Sequence, residues 1–291
     1  MTTTGTPGNF PGRPVAVVGA TGQQGAATVA ALRDTGAAVR ALVRDPGGAA
    51  AVRLVGLGAE LAVADLDRPD TVAAAFDGVA AVFAMTTFTG PRGVDGEVEH
   101  GRVIGDAALA AGVEHVVYSS VGGAERATGV PHFESKRRVE EHLTSLGLRT
   151  TFVRPTFFMD NFAGPARPAV EDGTVVLRMP LPGDVPLQLV AAADIGKAAA
   201  VALLAPERIP DGAIELAGDE LTGDRIAAAH GTAAGLPARY ESLPLDVLAG
   251  DPDQHAMFAW FARPPAYRAD LAAGRRLVPD LQDLATWLRR R

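Results

Sequence analysis

The sequence predicts an α/β fold: a doubly wound parallel sheet followed by a smaller C-terminal α/β domain. Three observations carry this. A short apolar run at 15–18 leads into glycines spaced GxxGxxG, at Gly19, Gly22 and Gly25, and then into a helical stretch. Strand-like runs alternate with helical ones as far as residue 119, and short connections between them imply a right-handed, doubly wound sheet. Beyond residue 162 the alternation loosens, and Pro and Gly punctuate shorter strands.

The glycine loop comes first. Glycine suits each of its three places for a physical reason. One supports the sharp strand-to-helix turn, one lets a diphosphate approach the backbone, and one packs the helix close to the sheet. The helix that follows offers free N–H groups and a positive dipole end to an anion. A second strand at 38–43 ends in Arg44-Asp45-Pro46. That is about twenty residues past the glycines, where a nicotinamide-cofactor domain reads the adenosine ribose. An acidic residue there would bind the 2′-hydroxyl of NAD. Arg44 suits a 2′-phosphate, so NADP(H) is favoured over NAD(H), with Asp45 beside it as a competing signal.

A third strand at 60–64 closes with Asp65-Leu66-Asp67. A carboxylate at that strand end either meets an adenine amino group or caps the next helix. The fourth strand, 79–84, runs into Met85-Thr86-Thr87-Phe88, at the carboxyl end where ligands lie in such sheets. A helix at 95–111 and a fifth strand at 115–119 follow, the latter ending in Tyr118-Ser119-Ser120. Pro131 opens a helix well. Along that helix His132, Lys136 and Glu140 recur every four residues and share a face, as Lys–Glu pairs on ordinary surface helices also do. Val139, Leu143 and Leu146 form its apolar side.

The sixth strand, 149–154, is followed by Pro155, Thr156, Phe157 and Phe158. This Phe-rich segment reads as a stacking surface for a nicotinamide, a pocket lining, or plain core. Short strands then fall at 174–177 and 187–190, and Asp194 is expected to cap a helix at 195–204. A strand at 213–216, a helix at 223–234, an aromatic stretch with Met257, Phe258, Trp260 and Phe261, and a last helix at 281–288 complete the chain.

Composition removes several function classes. The net charge of −7 argues against direct nucleic-acid binding, which needs clustered Lys and Arg. Zero cysteines exclude disulfides, thiolate catalysis and Cys-ligated zinc or iron–sulfur sites. The six histidines are scattered, so no metal site is expected. No uncharged apolar run is long enough to span a membrane, and the start of the chain lacks the pattern of a signal peptide. A cytoplasmic protein is expected, with a flexible tail at 1–12, a cofactor-binding domain at 13–156 and a smaller substrate or partner domain at 157–291, segments of which return to the main sheet.

With these motifs in view, the chain resembles the NmrA-like family, an atypical branch of the short-chain dehydrogenase/reductases, and most closely its NADPH-sensing branch. The resemblance rests on GATGQQG at 19–25, the Arg44 strand end, YSS at 118–120, HFESKRRVEEHL at 132–143, RPTFFMDNF at 154–162, AADIG at 192–196 and MFAWF at 257–261. It implies a Rossmann domain that binds NADP(H), with NAD(H) second. Gly19, Thr21, Gly22, Gln23, Gln24 and Gly25 would contact the diphosphate, and Arg44 the 2′-phosphate. Asp65 and Leu66 would lie by the adenine, Lys136 would meet the nicotinamide ribose, and Thr86 and Pro155, Thr156, Phe157 and Phe158 would flank the nicotinamide.

The superfamily's usual catalytic pair is Tyr and Lys four residues apart on this helix. Here His132 stands at the tyrosine position, and Tyr118 belongs to a different element. Without the phenol, ordinary carbonyl reduction is not expected, and Lys136 and His132 are the remaining catalytic candidates. Two functions follow. The expected one is a redox-responsive regulator with weak or no classical dehydrogenase activity, whose partner is a protein. The other is an NADPH-dependent reductase of quinones, enones or similar small molecules. Either would act as a monomer or homodimer.

Overall fold

The computed structural model describes Phe10 and residues 12–291. The tail expected at 1–12 lies, Phe10 and Gly12 apart, outside the described residues. In chain order the elements are β1 Val15–Val17, α1 Gln23–Asp34, β2 Val39–Val43, α2 Ala49–Gly56, β3 Glu60–Val63, α3 Pro69–Ala75, β4 Ala81–Met85, α4 Gly93–Ala110, β5 His115–Ser119, α5 Pro131–Ser145 and β6 Thr150–Pro155. There follow β7 Phe157–Phe158, β8 Ala169–Glu171, β9 Thr174–Met179, β10 Pro186–Val190, α6 Ala192–Leu204, β11 Ala213–Leu216, β12 Asp219–Thr222, α7 Gly223–Ala234, β13 Ala238–Ser242, α8 Pro252–Phe261, α9 Leu271–Leu277 and α10 Leu284–Arg289. Among the described residues no helix is long and apolar enough to cross a membrane.

Seven strands form the main sheet in the order β11-β6-β5-β4-β1-β2-β3. From β3 to β6 every pair is parallel, with Val15 opposite both Val39 and Ala81. The chain builds outward from β1 to β3 and then returns to the other side of β1 to lay down β4. That reversal opens a crevice at the carboxyl ends of β1 and β4, where ligands bind in open α/β sheets. The expected doubly wound fold is therefore the observed one.

The chain divides into two compact units. The first holds the residues up to Ser120 with Ser135–Val153 and Ala193–Ile214. Its core includes Ala16, Phe76, Val82, Ile104, Tyr118, Val139 and Leu143. Small residues bring its helices close. A Cβ on Gly196 would lie 2.4 Å from the Ala27 carbonyl carbon, and one on Gly101 would lie 2.4 Å from a Val139 methyl. The glycine of AADIG is therefore a packing residue between α6 and α1. Helix α6 starts at Ala192, three residues before the expected start. Asp194 consequently sits inside the first turn, fully buried, 3.0 Å from the Lys197 ammonium, and is not the cap.

The second unit holds Val121–Glu134, Arg154–Ala192 and Glu215–Arg291. It contains two three-stranded sheets, β12-β10-β7 and β13-β9-β8. Phe133, Phe157, Phe162, Leu189, Ile226, Phe258, Phe261 and Trp287 make its core. The aromatic stretch at 257–261 forms α8, with Met257, Phe258 and Phe261 buried. Asp283 accepts from the Thr286 N–H at 2.7 Å and starts the last helix at Leu284, three residues later than expected.

Candidate functional site

The loop between β1 and α1 has the shape the glycine spacing predicts. Gly19 has a positive φ of 70°, and a Cβ there would lie 2.7 Å from the Met85 sulfur. Its carbonyl accepts from the Gly22 N–H at 3.0 Å, closing the turn. Gly25 is the tightest of the three: a Cβ would lie 2.1 Å from the Gly19 carbonyl oxygen. Gly22 is the N-cap of α1, extended, with no side chain capping the helix and no acidic residue in the first turn. The first N–H groups of a helix lack intrahelical partners. Thr21, Gly22 and Gln23 are exposed, so these donors and the positive end of the dipole face outward. The Gln24 side chain is fixed from across the sheet, where its Oε1 accepts from the Ser119 hydroxyl at 2.5 Å.

Arg44 stands exposed just past β2. Among the described residues it makes no hydrogen bond or ion pair. Its acidic neighbour is otherwise engaged: Asp45 Oδ1 accepts from the Gly47 N–H at 2.9 Å and holds the turn into α2. The competing signal at this strand end thus has a local structural origin. Asp65 also braces a turn, with Oδ1 accepting from the Asp67 N–H at 3.1 Å. It does not cap α3, whose N-cap is Arg68. Leu66 is half-buried against the core.

The third part of the site is a buried polar cluster. The Lys136 ammonium donates to Glu97 Oε1 at 2.9 Å and to the Thr86 carbonyl at 3.1 Å. Glu97, on α4, also accepts from the Thr86 hydroxyl at 3.0 Å and from the Ser135 hydroxyl at 2.5 Å. With the Thr86 proton committed to Glu97, the Tyr118 hydroxyl, 2.7 Å away, donates to Thr86 Oγ1. The Lys136 ammonium also lies 5.4 Å from the centre of the Tyr118 ring. Tyr118, set apart by its element, is therefore a neighbour of Lys136, because β5 and α5 pack on each other in this unit.

The electrostatics follow from burial. Burial would raise the Glu97 carboxyl, but the Lys136 charge and donors from Ser135, Lys136 and Thr86 hold it below its ordinary range. For Lys136 burial disfavours the cation. The Tyr118 and Glu97 oxygens outweigh that effect, and the ammonium is held above its ordinary value. Tyr118 is pushed up to about 12, chiefly by burial, against the pull of Lys136 and with a push from Glu97. It stays a neutral donor.

Glu97 escaped sequence reading, yet a signal existed. It falls on one stripe of α4 with Gly101, Ile104 and Ala108, all buried, and a carboxylate on an apolar stripe needs a partner.

His132 lies in the second unit, where it bonds to Asp253. Its backbone N–H and its Nδ1 both meet the Asp253 carboxylate, at 2.9 and 2.6 Å. The pair joins the first turn of α5 to the first turn of α8. The segment after β6 also belongs to this unit. Phe157 and Phe158 pair with Leu189 and Val190 of β10, and Phe157 packs on Phe162 and Phe261. Thr156 donates its hydroxyl to the Leu216 carbonyl at 3.1 Å. Pro155 accepts from the Gly122 N–H at 2.9 Å.

Known proteins bear on this arrangement. The NmrA-like family matches residues 12–262. The NAD(P)H azoreductase of Xenophilus azovorans is 34% identical over 190 residues, 65% of this chain and 63% of that protein. The chain spans less than two thirds of the length of the curated relatives it matches. Two solved structures share the fold over 95% of the chain at 24% identity. They are an NADPH-dependent quinone oxidoreductase of Escherichia coli complexed with NADPH, with a TM-score of 0.79 over 99% of that chain, and the negative transcriptional regulator NmrA with NADP, with a TM-score of 0.77 over 94% of that chain.

Proposed function

The chain belongs to the NmrA-like family, and from that premise we propose that it binds NADP(H) and uses it to reduce flat, electron-poor small molecules of the azo or quinone kind. The observation that carries the cofactor reading is the pairing of an uncapped, exposed start of α1 with an exposed Arg44 that makes no ion pair among the described residues. One is a receptor for a diphosphate and the other for a 2′-phosphate. Helix N–H groups and a guanidinium both form their strongest hydrogen bonds to anions. The reductase reading is supported by the azoreductase among the relatives.

NADPH, when bound, supplies a hydride. The residues of the chain hold and orient it. The Gly19 turn and the N–H groups of Gln23 and Gln24 receive the diphosphate. Arg44 receives the 2′-phosphate, and Lys136, fixed by Glu97 and Thr86, donates to the nicotinamide ribose. No tyrosine stands four residues before Lys136, and the His132 Nδ1 is committed to Asp253. A quinone becomes a stabilised hydroquinone anion on taking a hydride and suits such a site, because it needs no strong acid beside it; an azo group becomes a basic hydrazide anion on taking a hydride and takes its proton from water.

A second reading, a regulator that responds to the redox state of the cofactor, draws on the likeness to NmrA and on the same engagement of His132. The test is NADPH consumption at 340 nm with an azo dye, a quinone, and a panel of simple aldehydes and ketones. Saturable turnover of the first two and none of the panel is expected. No turnover of any, with tight binding that differs between NADPH and NADP, overturns the reductase reading in favour of the regulator.

A further inference from the structure

The chain has twenty-five arginines and two lysines, Lys136 and Lys197. Lysine at 136 is thus a local choice in a chain that places arginine at nearly every other cationic position. A compact ammonium distributes its donors tetrahedrally, whereas a guanidinium is a flat fork. The space around Lys136 asks for the former. Its side chain is 12% exposed, and Glu97, fully buried, lies to one side with the Thr86 carbonyl to another. Glu97 has no other cationic partner among the described residues. Its other two donors, Ser135 and Thr86, are neutral hydroxyls.

We propose that Glu97 is a positioning residue that anchors Lys136 as a fixed cationic hydrogen-bond donor to the cofactor ribose, so that Lys136 does not serve as the proton donor of the reaction. The proposal rests on the NADP(H) reading above and gives Lys136 one of the two roles the sequence left open to it. The reason is the cost of the alternative. If Lys136 gave up a proton, a carboxylate of zero exposure would remain with only neutral donors, and breaking one side of a buried ion pair is strongly unfavourable. The titratable groups that face Lys136 are Glu97 from α4 and Tyr118 from β5. Tyr118 donates to Thr86 and shields the pair on the β5 side. All of these groups lie within the first unit.

Two lysines make a direct test practical. Protein labelled with 13C at lysine Cε gives two resonances, and Lys136→Arg assigns them. In the cofactor-free wild type the Lys136 resonance should stay at its ammonium position past the ordinary lysine midpoint of about 10.4. In Glu97→Gln the desolvated ammonium has lost its anion, so its midpoint should fall by at least about one pH unit. Glu97→Asp keeps the charge and should restore most of the shift.

NADPH binding by calorimetry should then be flat from about pH 7.5, clear of the 2′-phosphate midpoint of about 6, to about pH 9.5 in the wild type, and in Glu97→Gln should weaken about twofold at the lowered lysine midpoint and further above it, as lysine loses its charge-assisted bond. A wild-type Lys136 that titrates at or below the ordinary value overturns the proposal, and that measurement does not depend on the folding of any variant. So does a Glu97→Gln midpoint equal to the wild type. If NADPH does not bind the wild type at all, the cofactor reading fails and the ribose role with it. The lysine resonances then still decide whether Glu97 fixes the ammonium.

Discussion

Gly22 and Gly25 are three residues apart in one motif, and the structure gives them different work. Changing each to alanine separates those roles. At Gly25 the new Cβ would lie 2.1 Å from the Gly19 carbonyl oxygen, 2.6 Å from its carbon and 2.8 Å from Ala20 Cα. All three are backbone atoms of the turn leaving β1, so α1 has to move by about 1 Å to restore ordinary contact. Overpacking of a tight core costs about 1–3 kcal/mol, and the rigid backbone on both sides puts this case at the upper end. Alanine regains about 1 kcal/mol of helix propensity over glycine. The net loss expected for Gly25→Ala is therefore about 2 kcal/mol, seen as a lower midpoint in a urea melt followed by circular dichroism. At Gly22 the new Cβ would meet only the Gly19 oxygen at 3.3 Å, and φ is −85°. Gly22→Ala should cost less than about 1 kcal/mol, the loss of a tolerable N-cap, while crowding the diphosphate and weakening NADPH binding. If Gly25→Ala is as stable as the wild type, or Gly22→Ala is the more damaging to stability, the close approach of α1 to the β1 turn is not what the third glycine provides.

Other consequences are as concrete. His115 and His230 are held neutral in the fold, each pushed down to about 4, His115 by burial and then Arg149 and His230 by burial. Unfolded histidine titrates near 6.5, so between these values the unfolded chain binds more protons. Stability should be level above about pH 7 and fall below about pH 6.5, by up to about 1.4 kcal/mol per pH unit for each histidine. Acid melts of His115→Gln and His230→Leu should flatten that slope, and an unchanged slope in both removes the attribution. Asp253→Ala removes both bonds to His132 and should cost about 1–3 kcal/mol. Hydrogen exchange in the first turn of α5 should quicken, and unchanged protection would show that the pair holds nothing. Tyr118→Phe deletes only the hydroxyl that donates to Thr86 and should cost about 1 kcal/mol in a melt. A cost near zero would mean that Thr86 is satisfied without it.

How legible this was in the sequence depended on the range of the interaction. Strands β1 to β6 are short apolar runs bounded by turn residues, and the local pattern places them within a residue or two. The glycine turn and the place of Arg44 at a strand end are legible for the same reason, since the turn, the cap and the strand end are all made by near neighbours. Helix α2 lacks a sequence signal of its own, because Ala49–Gly56 has no capping side chain to announce it. Asp194 misled because a capping residue type sits one turn too late, and its carboxylate serves Lys197 instead. The sequence sets Glu140 one turn from Lys136 on the same helix, but the buried carboxylate that holds Lys136 is elsewhere. It lies 39 residues earlier at Glu97, which only the packing of α4 on α5 can reveal. Tyr118 stands on another element, yet parallel strands bring the carboxyl ends of β4 and β5 side by side, with Ala84 opposite Tyr118. The sequence leaves His132 open as a proton donor, and its tie to Asp253, 121 residues away, has no sequence signature.

In the proposed function Arg44 and the start of α1 together read a phosphorylated nicotinamide dinucleotide. Calorimetric titration of the wild type and Arg44→Ala with NADPH and with NADH measures it directly. A guanidinium–phosphate pair contributes about 1.5–3 kcal/mol per charged hydrogen bond, so Arg44→Ala should weaken NADPH by about tenfold or more and leave NADH within about twofold. Equal losses for the two cofactors, or no preference for NADPH in the wild type, would remove Arg44 from the 2′-phosphate.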